Sequence, residues 1–346
     1  MTTESPRGID RAPVDAWIAA NVAGAVAPFS YELIAAGGSN LTFRVTDGGG
    51  RQWALRRPPV GRALPTAHDM SREWRIMEAL AETVPVPECV AYCGEPEVNG
   101  APFYLMSFVD GRILRNQAST SDMDAAQAEV ATESLIAVQI ALHTVDIDAV
   151  GLGQFAKRSD YVGRQLGRWS SQIERAGVRQ PALMLELHDR LVAAKPDEKV
   201  APGIVHGDYR FDNTVLGDDF TIAAVLDWEL STIGDPIADF AWSLQYWADP
   251  GDPINFLNDP PTLNGVFARR DEVARRYAER SGFDLSDLPY LTVFSWWKQA
   301  CIVEGVYARR LKGATGGAAG TNDPNDVARR ADALFARAAE LATGVV

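Results

Sequence analysis

The sequence carries only three cysteines, Cys89, Cys93 and Cys301, and four histidines, His68, His143, His188 and His206, among 346 residues. So few thiols, odd in number, provide no disulfide framework and fit a reducing compartment. No CxxC pair or HxxxH spacing is present, so Cys89 and Cys93 read as buried, inert thiols rather than half of a zinc site. Basic residues are also in deficit: 33 Lys and Arg stand against 46 Asp and Glu, a net charge of −13. Nucleic acid and anionic membrane normally require a basic surface to displace counterions, so neither is expected as a partner. No apolar run approaches the roughly 20 residues needed to cross a bilayer. The start, Met1-Thr2-Thr3-Glu4-Ser5-Pro6, has neither the basic nor the apolar segment of a secretory signal. A cytoplasmic protein is the expectation. No Walker A pattern and no internal repeat occur, which argues against a P-loop nucleotide fold and a solenoid.

What is present is a globular composition, 47% hydrophobic and 23% charged. The length suits about two domains, each with its own core. The first hundred residues are turn-rich and strand-like. Leu41, Phe43 and Val45 alternate with Thr42 and Arg44 at the period of a half-buried strand. A turn at Asp47-Gly48-Gly49-Gly50 leads to a return strand, Gln52-Trp53-Ala54-Leu55-Arg56, stopped by Pro58-Pro59. A helix starting near Thr66 or Asp69 follows, with Met70, Trp74, Met77 and Ala81 on one face and Glu73 beside them. Pro102 to Val109 reads as a buried strand ending at Asp110-Gly111. From about Ser121 the chain turns helical, which puts a boundary near residues 110 to 116. Gly313 to Asn325 reads as a loop before a last helix ending around Leu341.

One β-rich interruption in the helical half carries the chemistry. His206-Gly207-Asp208-Tyr209-Arg210-Phe211-Asp212-Asn213 precedes a short hairpin, Thr214-Val215-Leu216 and Thr221 to Leu226, that ends at Asp227. Asp208 and Asn213 are five apart in an irregular loop, and the hairpin returns the chain so that Asp227 faces them. Two carboxylates and an amide oxygen form a set of hard oxygen ligands suited to Mg²⁺ with some waters retained, a triphosphate supplying the remaining oxygens. Turn chemistry alone accounts for any one of these residues but not for the ordered set.

These residues resemble the aminoglycoside phosphotransferase-like branch of the protein-kinase-like fold. The matching pieces are Gly37-Gly38-Ser39-Asn40, Glu73, Met106 to Gly111, His206 to Asn213, and Leu226-Asp227-Trp228-Glu229 with Gly234-Asp235-Pro236 and Asp239. Within that branch, Trp53 to Pro59 and Asp227 to Pro236 look most like the kinase-like domains associated with acyl-CoA dehydrogenases. The resemblance implies an α+β, two-lobed architecture. Residues 1–110 would form a nucleotide-binding lobe, a small antiparallel sheet with one main helix and an N-terminal extension. Residues 111–346 would form a larger helical lobe with the catalytic loop and acceptor site.

The same resemblance implies that Asp208 is the catalytic aspartate, that Asn213 and Asp227 hold Mg²⁺, and that His206 braces the loop. Ser39 and Asn40 would close over the phosphates of ATP, and Ser107 and Val109 would meet the adenine through backbone C=O and N–H. Arg56 stands where the family has a phosphate-binding lysine, with Glu73 as its ion-pair partner. Arg keeps the charge but differs in shape, so either Arg56 does that work or Arg57 or another cation does. Asp235, an N-cap before Pro236, and Asp239 are read as supports. The activity implied is ATP/Mg²⁺-dependent transfer to a hydroxyl of a small molecule, a hydroxyacyl compound or an aminoglycoside-like acceptor. The acceptor should lie against the aromatic-rich helices holding Phe240, Trp242, Tyr246, Trp247, Tyr290, Phe294, Trp296 and Trp297, most of them core. Two other readings stay open: a nucleotide-binding pseudokinase or interaction module without transfer, and an unrelated Mg²⁺-dependent hydrolase using the same carboxylates without ATP.

Overall fold

The computed structural model describes residues 6–36, 40–60, 69–313 and 323–346. The chain divides into two compact units, and the first takes in residues up to Gly111 together with Ala223–Glu229. A single linear boundary near residue 110 does not contain that split.

In the first unit, α1 (Arg11–Asn21) precedes β1 (Ser30–Ala36), β2 (Leu41–Thr46) and β3 (Gln52–Arg57). Then come α2 (Met70–Leu80), β4 (Cys89–Cys93), the single turn α3 (Pro96–Asn99) and β5 (Phe103–Ser107). The strands form one antiparallel sheet in the order β1-β2-β3-β5-β4. The expected hairpin is β2–β3, whose register sets Phe43 opposite Leu55 and Thr42 opposite Arg56. Side chains alternate across the pleat. Phe43, Val45, Trp53, Leu55, Phe103 and Leu105 therefore build one core, joined by Val14 and Ile18 of α1. Helix α1 is not announced by periodicity, because only Val14 and Ile18 of its eleven residues are buried.

The other face carries Thr42, Ala54, Arg56, Tyr104 and Met106, and α2 packs beside it with Trp74 edge-on to Tyr104. Asp69 caps α2 by accepting from the Ser71 and Arg72 N–H groups. Its buried stripe is Met70, Glu73, Ile76, Met77 and Leu80, not the expected Met70, Trp74, Met77 and Ala81; Trp74 is half-buried and Ala81 exposed. That rotation brings Glu73 into the buried stripe itself.

The second unit contains α4 (Ala125–Thr144), α5 (Tyr161–Ala176), α6 (Ala182–Ala193) and β6 (Gly203–Val205). It continues with β7 (Thr214–Leu216), β8 (Ile222–Val225), which crosses into the first unit after Ile222, and β9 (Thr232–Gly234). The remaining helices are α7 (Pro236–Leu244), α8 (Arg270–Ser281), α9 (Leu288–Leu311) and α10 (Pro324–Ala342). Strands β6 and β9 pair antiparallel. Helix α9 is the hub, packing on α5, α6, α7 and α10. Its Trp297 is wholly buried among Leu187, Leu191 and Phe294, and its Nε1 donates to the Met184 carbonyl at 3.0 Å. The aromatics of α7 and α9 are core, as composition suggested. No helix among the described residues is long and apolar enough to cross a membrane.

Glu304 of α9 is buried and depends on one cation. Arg179 grips both its oxygens at 2.7 to 3.0 Å while donating to the Ala328 carbonyl and to Asp332, both in α10. Removing Arg179 would strand a buried charge, a loss of about 3 kcal/mol. Arg179→Ala is expected to lower the urea midpoint accordingly, and Glu304→Leu on that background to recover most of the loss. An unchanged midpoint in the single variant would show that the pair contributes nothing.

Candidate functional site

In the first unit, the face of the sheet under α2 collects charge. Arg56 Nε donates to Glu73 Oε2 at 2.8 Å, its NH2 group donates to Asp227 Oδ1, and Glu229 Oε2 lies 3.9 Å away. Tyr104, opposite Arg56 in the ladder, donates to the same Glu73 oxygen at 2.8 Å. Asn40 Nδ2 bridges Glu73 Oε1 at 3.1 Å and Glu229 Oε2 at 2.9 Å, leaving its own Oδ1 buried without a hydrogen-bond partner. Burial works against the Arg56 charge, but Glu73 first, then Tyr104, Asp227 and Glu229, hold its pKa above the ordinary value. Burial in turn lifts the Glu73 carboxyl, with Arg56 and the Tyr104 hydroxyl pulling the other way.

Of the two cations considered for the lysine position, Arg56 alone faces this cluster. Arg57 points to the opposite side of the pleat, where it donates to the carbonyls of Gly8, Asn99 and Pro58. Asp227 has φ +66°, a left-handed conformation uncommon for a residue with a side chain and concentrated at functional positions. Ser107 ends β5 opposite Trp53, its N–H on the Glu88 carbonyl at 2.8 Å and its Oγ accepting from the Glu88 N–H at 2.9 Å. Val109 follows, half-buried. Ser39 lies outside the described residues.

In the second unit, the loop after β6 is held from beneath by Asp239 of α7. Its carboxylate accepts from the backbone N–H groups of His206 and Gly207, both at 2.9 Å, and from His143 Nε2 at 3.1 Å; His143 Nδ1 sits 2.6 Å from the Tyr277 hydroxyl. Asp235 caps the same helix through the Ile237 and Ala238 N–H groups. Gly207 turns at φ +83°, and a Cβ there would come within 3.1 Å of the Leu230 carbonyl oxygen, so glycine is required. His206 is fully buried, with Nδ1 3.2 Å from the Asp208 N–H.

This bracing presents Asp208. Asn213 Nδ2 donates to Asp208 Oδ2 and to its carbonyl, each at 2.8 Å; Tyr246 donates to Oδ1 at 2.5 Å; Arg210 Nε lies 3.3 Å from Oδ1. Burial, and next the Asp208 charge, raise the Tyr246 pKa well above the ordinary value, so the phenol remains a donor. The structure thus joins Asp208 to Asn213, and Arg56 to Glu73, Asn40 and Asp227. Tyr104, Glu229, Arg210 and Tyr246 complete the two clusters. Sequence marked Tyr246 only as one aromatic among many; its hydroxyl contact carries no sequence signature.

The donor sets fit a magnesium nucleotide. Asn213 spends its nitrogen on Asp208, which leaves its amide oxygen as the donor a metal would use. Around Arg56 one guanidinium stands against three carboxylates, an excess of negative charge that a divalent cation offsets. Among the described residues no three His, Cys, Asp or Glu side chains converge as a metal-holding group. Magnesium bound by one or two carboxylates with phosphates and water asks for no such group.

The Asp239 carboxyl responds to opposing influences: burial raises its pKa, while the His143 hydrogen bond, the charges of His143 and His206 and the His206 N–H bring it below the ordinary 3.8. A carboxyl with a depressed folded-state pKa stabilises above its unfolded value, and that contribution fades as pH falls through the folded value. Asp239→Asn is therefore expected to destabilise at pH 7 and to flatten the acid limb below about pH 4. Urea midpoints at pH 7 and pH 3 check this, and parallel acid limbs for the variant and the parent would refute it.

Residues 30–286 match the family model of the phosphotransferase enzyme family. Over 285 residues the chain is 36% identical to acyl-CoA dehydrogenase family member 10 of Mus musculus, a match covering 80% of this chain and 26% of that protein. The chain thus spans about a quarter of that relative's length. A Ralstonia eutropha crystal structure assigned to the aminoglycoside phosphotransferases superposes with a TM-score of 0.81 at 31% identity, covering 97% of this chain and 98% of the other. A thermostable mutant of the aminoglycoside phosphotransferase APH(4)-Ia, in ternary complex with AMP-PNP and hygromycin B, shares the fold at 15% identity and TM-score 0.61, covering 94% and 98%. A kinase-like α+β fold, a small antiparallel sheet unit with a larger helical one, is common to them. The chain belongs to the phosphotransferase enzyme family and is similar within it to the kinase-like part of acyl-CoA dehydrogenase family member 10.

Proposed function

We propose that this chain is a small-molecule kinase that moves the γ-phosphate of ATP, with Mg²⁺, to a hydroxyl of a hydroxyacyl compound or an aminoglycoside-like acceptor. The observation that carries the reading is the setting of Asp208, a carboxylate fixed on a braced loop with room for one more donor. Its two oxygens offer about four lone-pair sites. Asn213, Tyr246 and Arg210 occupy three. An acceptor hydroxyl takes the fourth, so Asp208 orients it for in-line attack and receives its proton as the new P–O bond forms and the bond between the γ-phosphorus and the β,γ-bridging oxygen breaks, ADP leaving.

Asn213 and Asp227 are the magnesium ligands in this reading, one through its amide oxygen and the other through its carboxylate. Bound magnesium supplies charge neutralisation on the β- and γ-phosphates, the dominant need in phosphoryl transfer. Arg56, steadied by Glu73, donates to the phosphates, and the guanidinium fork does with two nitrogens what a lysine does with one. Ser39 and the backbone of Asn40, whose side chain is held by Glu73 and Glu229, close over the phosphates, and Ser107 and Val109 receive the adenine edge through the backbone. The protein's contribution is mainly placement.

Three measurements test this reading. ATP with Mg²⁺ should raise the melting temperature, since a ligand at 100 times its Kd stabilises by about 2.7 kcal/mol. Asp208→Asn should lower kcat by about 10²- to 10⁴-fold, as loss of a positioned base does, with nucleotide-induced stabilisation retained. Arg56→Met should raise the KM for ATP about 10- to 100-fold, the equivalent of a lost charge-assisted contact, and Arg56→Lys should recover part of it. Nucleotide stabilisation without γ-phosphate transfer to any acceptor would identify a pseudokinase, and phosphate release without ATP a hydrolase. Full turnover by Asp208→Asn would remove Asp208 from the mechanism.

A further inference from the structure

The start of α8, the first half of α9 and the end of α10 enclose a cleft of about 660 Å³, within the roughly 300–1,000 Å³ of small-molecule pockets. Its apolar lining includes Ile254, Leu285, Leu288, Trp296 and Leu341. Trp296 is buried, whereas the other four pack on the core of the second unit and stay only partly covered. A carbon skeleton laid on them would remove that surface from water.

The cleft is set apart from the catalytic loop, because none of its lining residues bonds to Asp208. Contact with that carboxylate is indirect: Trp296 packs edge-on to Phe256 at 4.7 Å, Phe256 edge-on to Tyr246 at 5.7 Å, and the Tyr246 hydroxyl holds Asp208.

The polar groups around the cleft fall into two sets. Its carboxylates are engaged. Asp252 accepts from both terminal nitrogens of Arg270 and from the Asp249 N–H, Asp249 accepts from the Arg270 N–H at 3.2 Å, and Asp271 accepts from the Glu272 N–H at 3.0 Å. The donors of Arg337 and Thr292 are not. Arg337 gives one nitrogen to Glu340, an exposed neighbour on its own helix, at 3.0 Å. Its Nε is buried with no hydrogen-bond partner, and its other terminal nitrogen makes no hydrogen bond among the described residues. The half-buried Thr292 hydroxyl, one turn before Trp296, makes none among them either. An exposed pair such as Arg337–Glu340 holds its members weakly, and a buried nitrogen without an acceptor is uncommon in a native protein.

We propose that this cleft is a second ligand site, separate from the one at Asp208, for a small amphiphilic carboxylate. Nε and the free terminal nitrogen of Arg337 take the carboxylate as a two-pronged pair, the geometry to which a guanidinium is suited. The Thr292 hydroxyl is a further donor, and the aliphatic chain lies on Ile254, Leu285, Leu288 and Leu341. Such a ligand takes no part in phosphoryl transfer, and the site stands or falls independently of the kinase reading.

Calorimetric titration of the whole chain with octanoate, octanamide and octylamine tests this with no assay of turnover. Octanoate should bind at least about 10-fold more tightly than octanamide, and octylamine most weakly, as one charge-assisted pair requires. Arg337→Met should erase that preference and Arg337→Lys should restore part of it, while Thr292→Val, close in volume, should weaken octanoate a few-fold. Asp208→Asn should leave octanoate binding within a few-fold of the parent. Equal binding of acid and amide by the parent protein, or binding of none of the three, overturns the inference without needing a variant. Octanoate affinity undiminished in Arg337→Met overturns it too, and loss of octanoate binding in Asp208→Asn would move the anion to the catalytic loop and overturn it as well.

Discussion

Asp239 is the group on which the arrangement of the second unit turns. Its two oxygens receive the consecutive backbone N–H groups of His206 and Gly207 and the ring nitrogen of His143. A buried carboxylate is tolerated only when hydrogen-bonded in this way. The same three bonds therefore satisfy the carboxylate, fix the left-handed turn at Gly207 and set the direction in which Asp208 leaves the loop. Asp235, one helical turn earlier, caps the helix that carries Asp239, so the support is rigid to its N-terminus. Asp239 does its work by being buried and never needs to approach a substrate.

The first unit is governed by a charge imbalance rather than by a brace. Arg56 is drawn by Glu73, Asp227 and Glu229 together, and Asn40 and Tyr104 spend their donors on the same carboxylates. Such a cluster is well hydrogen-bonded and still over-supplied with negative charge. The magnesium nucleotide proposed above would correct it from both sides, the cation meeting carboxylate and the phosphates meeting guanidinium. Arginine suits this better than lysine would, because its planar fork keeps contact with Glu73 through one nitrogen while another is directed elsewhere. The substitution that departs from the family pattern is compatible with the surroundings it has.

How much of this could be read in the letters depends on how local each feature is. The β2–β3 hairpin and the capped start of α7 follow from two to six adjacent residues, and both are where sequence puts them. The partnership of Arg56 with Glu73 was legible through family resemblance and is present as a 2.8 Å contact. The face of α2 was not: Trp74 looks like the core residue by hydrophobicity, but a charged Glu73 takes the buried stripe because Arg56, Tyr104 and Asn40 wait for it there. Helix α1 and strand β4 were equally silent, the first for its two buried residues and the second for the half-buried, non-alternating pattern of Cys89 to Cys93. Tyr246 lies 38 positions beyond Asp208, and nothing in its neighbours distinguishes it from packing residues.

The first unit is thus left with a deficit of positive charge. Around Arg56 there are more carboxylates than cations, and the one orphaned atom, Asn40 Oδ1, is an acceptor. Stability does not explain that deficit, since an apolar residue at any of these positions would fold without an unpaired polar group. A ligand that completed this cluster would bring positive charge to its carboxylates, which is what the proposed magnesium nucleotide would supply. Net acidity over the whole chain does not select the acceptor, because a global charge says little about the few side chains that line one wall.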